Sequence, residues 1–241
     1  MDRVIYLAMA GAKASMLRQD VLAHNLANAS TTGFRAEMTA FRAVPVLGDG
    51  ASTRVYALET TPGYSSEPGP VAATDRNLDV AMKGDAWLAV HGVDGTEAYT
   101  RNGALDVNSE GLLVTRGGQT VLGDGGPLTI PANAQVLIGA DGTVSATVGN
   151  ARPQGVGRLK LVTPDAPLLR GEDGLFRAAT GDLPANPSAR VQAGALEGSN
   201  VSPVESMVAM IAAARQYEQQ MKILSTSQDR EQSATKLLAN T

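Results

Sequence analysis

The chain contains two histidines, His24 and His91, and no cysteine. Imidazole and thiolate groups are the usual ligands of zinc and the usual bases and nucleophiles of hydrolytic enzymes. The two histidines fall in different predicted elements, a helix and a strand, and the sequence has no pair of histidines at His-x-x-x-His spacing. We therefore predict that His24 lies on a helix surface, that His91 ends a strand, and that neither binds a metal.

Two glycine-containing segments could bind ions, but both depart from the required patterns. Residues 106–111 have oxygen side chains at positions one, three and five and glycine at position six, like the first half of a calcium loop. The twelfth position, which needs a bidentate glutamate, is Gly117. Residues 123–127 are glycine-rich like a phosphate-binding loop, yet no Lys-Ser or Lys-Thr follows and a predicted strand comes next. We interpret both segments as turns and predict no cofactor and no metal.

The remaining charged residues indicate neither a catalytic site nor a nucleic-acid partner. The 20 basic and 24 acidic residues give a net charge of -4 and form no basic stripe that could neutralise phosphates. Most carboxylates of the middle region stand in turn dipeptides such as Asp94-Gly95, where aspartate bonds its own backbone. No apolar run approaches the roughly 20 residues that a bilayer-spanning helix needs. We predict a protein that is not an enzyme and does not insert directly into a membrane.

Both ends of the chain predict long helices. Residues 3–28 contain no proline, and their apolar residues recur at spacings of three and four, apart from a gap at Gln19. Residues 202–205, SPVE, form a capping box with proline at the first helical position, and a similar pattern then runs to about Leu238. Such spacing is typical of a coiled-coil seam. The predicted assembly interface consists of apolar residues from the two ends: Ile5, Met9, Ala12, Met16, Leu26, Met207, Met210, Ile211, Ala214, Tyr217, Met221 and Leu224.

Between about Val44 and Gly198 the pattern changes to short β-prone runs, separated by turn dipeptides such as Asp141-Gly142. We predict an α+β fold whose long N- and C-terminal helices form a coiled-coil or helical-bundle region, with an all-β middle domain and an extended connector. The predicted domains are an N-terminal helix and motif at 1–34, a connector or hairpin at 35–76, the all-β domain at 77–198 and a C-terminal helix at 199–241.

The start of the chain has some features of a secretory signal, since Arg3 precedes an apolar stretch from Val4 to Ala12. Gly11 interrupts that stretch, and the helical pattern continues without a break to Leu26. We therefore predict that export, if it occurs, does not cleave the chain.

Three blocks of sequence resemble one known family. The first, at 26–34, is LANASTTGF, although His24 stands where the family usually has asparagine. The second comprises LDVA at 78–81, WLAV at 87–90, YTRNG at 99–103 and GLLV at 111–114, with Ala86 where a second glycine is usual. The third comprises LEGSNV at 196–201, which leads into residues 207–211, and RQYE at 215–218. In their order and spacing these blocks resemble the flagellar axial family of rod and hook proteins.

The resemblance implies a structural role. Residues 2–6, 34–36 and 41–46 are most similar to the proximal-rod branch of that family, with the distal-rod branch as the alternative; a large extra domain typical of hook proteins is missing. The resemblance further implies uncleaved export by the flagellar type III apparatus into the periplasmic part of the basal body. The implied partners are other proximal and distal rod proteins, copies of this chain and the export apparatus, in a tube with the terminal helices inside.

Two other classes of protein remain as alternatives. A secreted enzyme with a β catalytic domain needs clustered acid–base or nucleophilic residues, which the sequence does not offer. A secreted β-domain binding module favours exposed aromatic side chains, whereas Trp87 lies in an apolar predicted strand. Both alternatives are therefore weaker predictions than a structural polymer subunit.

Overall fold

The computed structural model describes residues 2–45 and 55–239, which group into two compact units. The helical unit comprises Met1–Ala29, Ala36–Pro62 and Val201–Thr241. The β unit comprises Ser30–Arg35 and Gly63–Asn200. Each unit is built from separate stretches of chain, whereas the four predicted domains are consecutive segments. The grouping therefore does not test those four domains, which stay a prediction.

The helical unit contains the two helices of the described residues, α1 (Asp2–Ala27) and α2 (Pro203–Ala239). Helix α2 begins at a capping residue, since the Ser202 hydroxyl accepts a hydrogen bond from the Glu205 amide and the Ser202 carbonyl accepts one from Ser206. The two helices pack against each other, and their buried positions carry small side chains: Ala8, Ala12, Ser15, Ser206 and Ala213. At Gly11 a β-carbon would lie 2.9 Å from the side chain of Gln220, so glycine permits a close approach there.

The predicted coiled-coil or helical-bundle region is wrong. The described residues hold only this one pair of helices, and large residues assigned to the seam, such as Met9, Met16 and Met207, are exposed. The physical reason is side-chain size, because the buried positions of the pair hold mostly alanine and serine, and several long side chains lie on the outer faces instead. A repeat of three and four identifies one side of a helix but does not reveal what covers that side. An all-β middle is seen, as predicted.

The helical unit also holds a two-stranded sheet of β1 (Glu37–Pro45) and β2 (Val55–Tyr64), the latter extending into the β unit. The start of β1 is tied to α1 by Asn25, whose amide nitrogen donates to the Glu37 carbonyl and whose amide oxygen accepts from the Glu37 backbone nitrogen. The Asn25 side chain thus makes the same pair of backbone hydrogen bonds to Glu37 that a residue of a neighbouring strand would make.

The β unit is a set of small antiparallel sheets. The strands are β3 (Val71–Ala73), β4 (Val80–Met82), β5 (Trp87–His91), β6 (Glu97–Thr100), β7 (Leu105–Val107), β8 (Leu113–Thr115), β9 (Leu122–Gly123), β10 (Gly126–Pro127), β11 (Ala134–Ile138), β12 (Thr143–Val148), β13 (Gln154–Arg158), β14 (Leu161–Val162), β15 (Leu169–Arg170), β16 (Phe176–Arg177), β17 (Val191–Ala193) and β18 (Ala195–Glu197). The largest sheet has the order β14-β5-β6-β16-β15, a second has the order β11-β12-β13, and the others are pairs.

The β unit encloses a mainly aliphatic core in which Leu88, Leu105 and Leu113 are fully buried. A second cluster collects the few aromatic residues, with the Trp87 and Phe176 ring centroids 4.8 Å apart. Predicted turn dipeptides connect the strands as tight turns. At Asp94, Asp141 and Asp173 the carboxylate accepts a hydrogen bond of 3.1 Å from the amide two residues later, and the following glycine has a positive φ.

Candidate assembly surfaces and a buried charge cluster

Helix α2 carries an uncovered apolar surface at its amino-terminal end. Val204, Met207, Val208 and Ile211 follow one another at helical spacing and therefore share one side of the helix. Val204 is 71% and Ile211 56% exposed, whereas Ser206 and Ala213, on the side packed against α1, are buried. We call these four residues the α2 surface.

The α2 surface continues into a shallow groove of about 510 Å³. The groove begins at Val208 and Ile211 and ends among polar side chains: Arg215, Gln216 and Gln219. An apolar floor with a polar end suits the side chains of another helix better than a small molecule, because Arg215 is the one titratable residue in its lining and no cluster of such groups converges on it.

Helix α1 has a comparable surface made of Tyr6, Met9 and Met16, which we call the α1 surface. Met9 and Met16 are 54% and 56% exposed, and the spacings of three and seven place all three residues on one side of the helix. Methionine is flexible and polarisable, so such a surface adapts readily to an irregular partner.

The twelve predicted interface residues divide into two groups. Five are exposed on the outer sides of the helices: Met9, Met16, Met207, Ile211 and Met221. The other seven are buried or half-buried: Ile5, Ala12, Leu26, Met210, Ala214, Tyr217 and Leu224. Only the first group is available to another molecule without separating the helix pair.

The residues considered for metal or acid–base chemistry are not brought together. His24, on α1, lies 3.2 Å from the Glu37 carboxylate, and His91 ends β5 in the other unit. The 106–111 segment starts in β7 and continues into the turn that leads to β8, where the Asn108 side chain accepts hydrogen bonds from two backbone amides. Within residues 2–45 and 55–239 no group of three His, Asp or Glu side chains could hold a metal ion, and no helix is long and apolar enough to cross a bilayer.

The β unit buries a three-residue charge cluster that sequence reasoning did not identify. Glu197, at the end of β18, is 1% exposed and accepts hydrogen bonds from two arginines. Arg101, directly after β6, donates from Nε at 2.8 Å and Nη2 at 2.5 Å to Glu197 Oε2. Arg35 lies 2.7 Å from Glu197 Oε1, which also accepts from the Gly69 amide at 3.1 Å.

The donors of both arginines are largely used by the protein itself. Arg101 Nη1 bonds the carbonyls of Gly84 and Ala86, and Arg35 Nη1 bonds those of Ser66 and Glu67. Burial lowers the pKa of the Arg35 guanidinium below its ordinary value, and the Glu197 carboxylate opposes that shift. Removing one member of such a pair typically costs about 3–5 kcal/mol, because the other charge stays buried. The cluster is therefore a structural tie.

Glycine is required where backbones meet beside this cluster. Gly33 has a φ of 69°, and a β-carbon there would lie 2.3 Å from the Arg101 backbone. Gly69 approaches the carbonyl of Gly198 in the same way, with a β-carbon position 2.1 Å from that oxygen. Any side chain at these positions would push apart the segments that the cluster joins.

Comparisons with known proteins identify one family in three regions of the chain. Residues 5–35 match the model described as flagella basal body rod protein, residues 81–146 the flagellar hook protein FlgE/F/G D1 domain, and residues 192–237 the flagellar basal body rod FlgEFG protein C-terminal domain. The flagellar basal-body rod protein FlgF of Salmonella typhimurium is 46% identical over 250 residues, which cover 99% of both chains. This chain belongs to the flagellar basal-body rod protein family.

Further rod-family relatives sharpen the assignment. The FlgF protein of Escherichia coli is also 46% identical, over 252 residues and 99% of each chain. The rod protein FlgG of Agrobacterium fabrum is 31% identical over 254 residues, covering 94% of this chain and 96% of the relative. The predicted resemblance to the proximal-rod branch is confirmed.

The charge cluster draws one residue from each matched rod-family region: Arg35 from the first, Arg101 from the second and Glu197 from the third. The three charged residues stand inside or directly beside the sequence blocks that resemble the family, which is the one sequence feature that singles them out. A single sequence does not reveal which distant charges meet.

Proposed function

We propose that this chain is a structural subunit of the proximal rod of the bacterial flagellar basal body. There it forms part of the drive shaft that transmits torque from the motor to the hook and filament. Family membership supports the proposal. The observation that carries it is the contrast between a β unit with a closed core and helices whose apolar α1 and α2 surfaces are uncovered. A subunit that polymerises through its helices needs such surfaces.

The proposed partners are other rod and axial proteins, both proximal and distal, together with copies of this chain. The exposed residues of the predicted interface, Met9, Met16, Met207, Ile211 and Met221, are the proposed contacts to these neighbours. The half-buried members, such as Tyr217, are proposed to act indirectly by holding the helix pair.

The proposed location is the periplasmic part of the basal body, reached through the flagellar type III export apparatus without cleavage of the chain. The proposed role needs no catalysis, cofactor or metal. Mass determination of the chain recovered from purified basal bodies tests the export route. We expect a mass that includes residues 3–28, and a product starting inside α1 would contradict uncleaved export.

Electron microscopy of basal bodies that carry a compact label on this chain tests the position. The label belongs in the β unit, for example at the exposed residue Val93. We expect density for the label on the rod, at the end nearer the membrane-embedded motor. Basal bodies with a complete rod and no label would contradict the proposed function.

A further inference from the structure

The chain passes between its two units four times, between residues 29 and 30, 35 and 36, 62 and 63, and 200 and 201. Any pull on the helical unit that is carried by the covalent chain must enter the β unit at these crossings. The β-unit segments next to them are 30–35, 63–70 and 196–200. How these three segments are fastened decides whether such a pull peels them from the β unit.

Segments 30–35 and 63–70 both bond Glu197, and segment 196–200 contains it. The Glu197 carbonyl accepts from the Gly33 amide at 2.8 Å, and its carboxylate binds Arg35 and the Gly69 amide. Arg101 then joins this carboxylate to the end of β6 in the five-stranded sheet. One residue thus connects both ends of the β unit's chain to its largest sheet.

Secondary contacts join two of these segments to each other and tie the third, 30–35, to Arg170 in β15. The Asn200 amide group donates to the Glu67 carbonyl at 2.9 Å, and the Gly198 amide donates to the Pro70 carbonyl at 2.8 Å. The Arg170 guanidinium lies 4.4 Å from the Phe34 ring and donates to the Arg35 carbonyl at 3.1 Å. Because these bonds cross between segments, peeling any one segment requires several of them to break together.

Stability alone does not require charges here, since apolar side chains of similar volume often stabilise a buried site as well as an ion pair does. What the cluster adds is fixed geometry: two planar guanidinium groups that hold one carboxylate from two sides. We propose that Arg35, Glu197 and Arg101 form a mechanical clamp that keeps the crossing segments on the β unit under load, so that torque on the helices reaches the β unit. This proposal rests on the proposed function of a rod subunit.

The clamp is tested first on the purified chain, by optical tweezers. The chain has no cysteine, so Ala27→Cys and Glu205→Cys, both at exposed helical positions, provide unique handles on either side of the crossings. Glu197→Gln keeps the shape of the side chain and removes its charge. We expect the clamp of this variant to open about 150- to 5,000-fold faster at a fixed force, given the usual cost of breaking a buried pair.

Glu97→Gln is the matched control. Glu97 also accepts an ion-pair hydrogen bond, 2.6 Å from Lys160 Nζ, and its side chain is largely buried in the β unit, but it binds none of the crossing segments. Its opening rate under force should equal that of the unmodified chain. Equal opening rates for Glu197→Gln and Glu97→Gln would overturn the clamp whether or not the chain is a rod subunit.

A second measurement separates a clamp from a general loss of stability. In Glu197→Gln, hydrogen exchange should accelerate at the Gly33, Gly69 and Gly198 amides while the Ala89 amide, inside the five-stranded sheet, stays protected. Uniform acceleration across the β unit would overturn the proposal. If Glu197→Gln does not fold, Arg35→Lys keeps the charge but loses the forked donors to Ser66 and Glu67, and the same amides report on it.

The link to torque is tested by swimming speed in media of rising viscosity. Cells with Glu197→Gln should build filaments and swim in dilute medium, then lose speed more steeply with viscosity than cells with Glu97→Gln. Identical curves, combined with faster opening in the tweezers, would overturn the torque role while leaving the clamp itself. Absence of the unmodified chain from the rod would instead overturn the proposed function.

Discussion

The β unit and the helical unit treat their large apolar side chains in opposite ways. In the β unit Leu88, Leu105 and Leu161 are almost completely buried, and strands joined by Asp-Gly turns close around them. In the helical unit Met16, Val204 and Ile211 are exposed, while small residues such as Ala12, Ser15 and Ala213 occupy buried positions. The β unit thus completes its core within one chain, whereas the helical unit leaves large apolar side chains exposed, which we propose another molecule covers in the rod.

The size of the exposed surfaces indicates how many are needed for assembly. Fully burying one Val, Ile or Met side chain stabilises by roughly 1.5–3 kcal/mol. The four residues of the α2 surface therefore contribute on the order of 6–12 kcal/mol at most, while association costs an estimated 4–15 kcal/mol. One surface alone barely offsets that cost. We infer that a stable position in the rod requires both the α1 and the α2 surface.

The largest expected effect comes from Ile211→Asp, which places a carboxylate in the middle of the α2 surface. Burying an unpaired charge costs several kcal/mol beyond the lost apolar burial, and the penalty recurs at every subunit of a polymer. Cells with only this variant should export it yet lack a rod beyond its position, and so lack hook and filament. Electron microscopy of their basal bodies is the measurement.

Ser225→Asp is the control for that experiment. Ser225 is exposed and lies 14 residues further along, about four turns, so it shares the side of α2 on which Ile211 lies, but in its polar half. This variant adds the same charge and should assemble. The purified Ile211→Asp chain should also keep the β-unit melting temperature, because Ile211 is exposed in the free chain. Normal filaments with Ile211→Asp would show that the α2 surface is not an interface.

The second-largest expected effect is on the stability of the free chain, and it differs between the two units. Leu105→Ala removes a fully buried side chain from the β-unit core and should lower the free energy of unfolding of that unit by about 2–5 kcal/mol. Met16→Ala removes an exposed side chain of the α1 surface and should change the stability of the free chain by less than about 0.5 kcal/mol. Urea denaturation of the two variants measures both values. Similar losses in the two would mean that the units are not as different as their burial indicates.

The smallest expected effect concerns pH and lies within the β unit. The hydrogen bond from Arg177 holds the pKa of Asp173 below its ordinary value of 3.8. Because the pKa of Asp173 is lower in the folded than in the unfolded chain, the pair stabilises the fold fully at pH values above the unfolded-state pKa. This stabilisation is lost as the pH falls through the folded-state pKa. For a partly exposed pair we expect less than about 1 kcal/mol.

Arg177→Gln provides the test for that small effect. The variant should melt slightly below the unmodified chain at pH 7, and the difference should shrink as the solution is acidified below the ordinary carboxyl pKa. A difference that grows on acidification would have the wrong sign. Exchange of the helical amides should not respond in either chain, since the pair lies in the other unit.

Local features of the fold could be predicted from the sequence, and pairings between distant residues could not. The Asp94, Asp141 and Asp173 turns are dictated by two adjacent residues, and the start of α2 by a four-residue capping box. The predicted seam is wrong because it relies on the helical repeat alone. Met9 and Met207 fit that repeat, but the repeat does not indicate which side of each helix packs against the other helix. The exposed α1 and α2 surfaces also contain Tyr6, Val204 and Val208, which the predicted interface does not include.

The buried charge cluster shows the limit most clearly. Arg35, Arg101 and Glu197 are 66 and 96 residues apart in sequence, and nothing in the local pattern of any one of them indicates burial. Charged residues are usually exposed, so the physical expectation for each alone is a surface position. Their meeting follows only from the strand pairing of β18 with β3 and from the close backbone contact at Gly33.

We propose that the outer sides of the terminal helices are covered in the rod and open in the free chain. Because the chain has no cysteine, Ile211→Cys and Met16→Cys each introduce a unique reactive group on one surface. A maleimide reagent should label both variants rapidly in the purified chain and hardly at all in intact basal bodies, with labelling restored once the basal bodies are dissociated. Equally rapid labelling at both positions in intact basal bodies would show that the α1 and α2 surfaces are not covered in the rod.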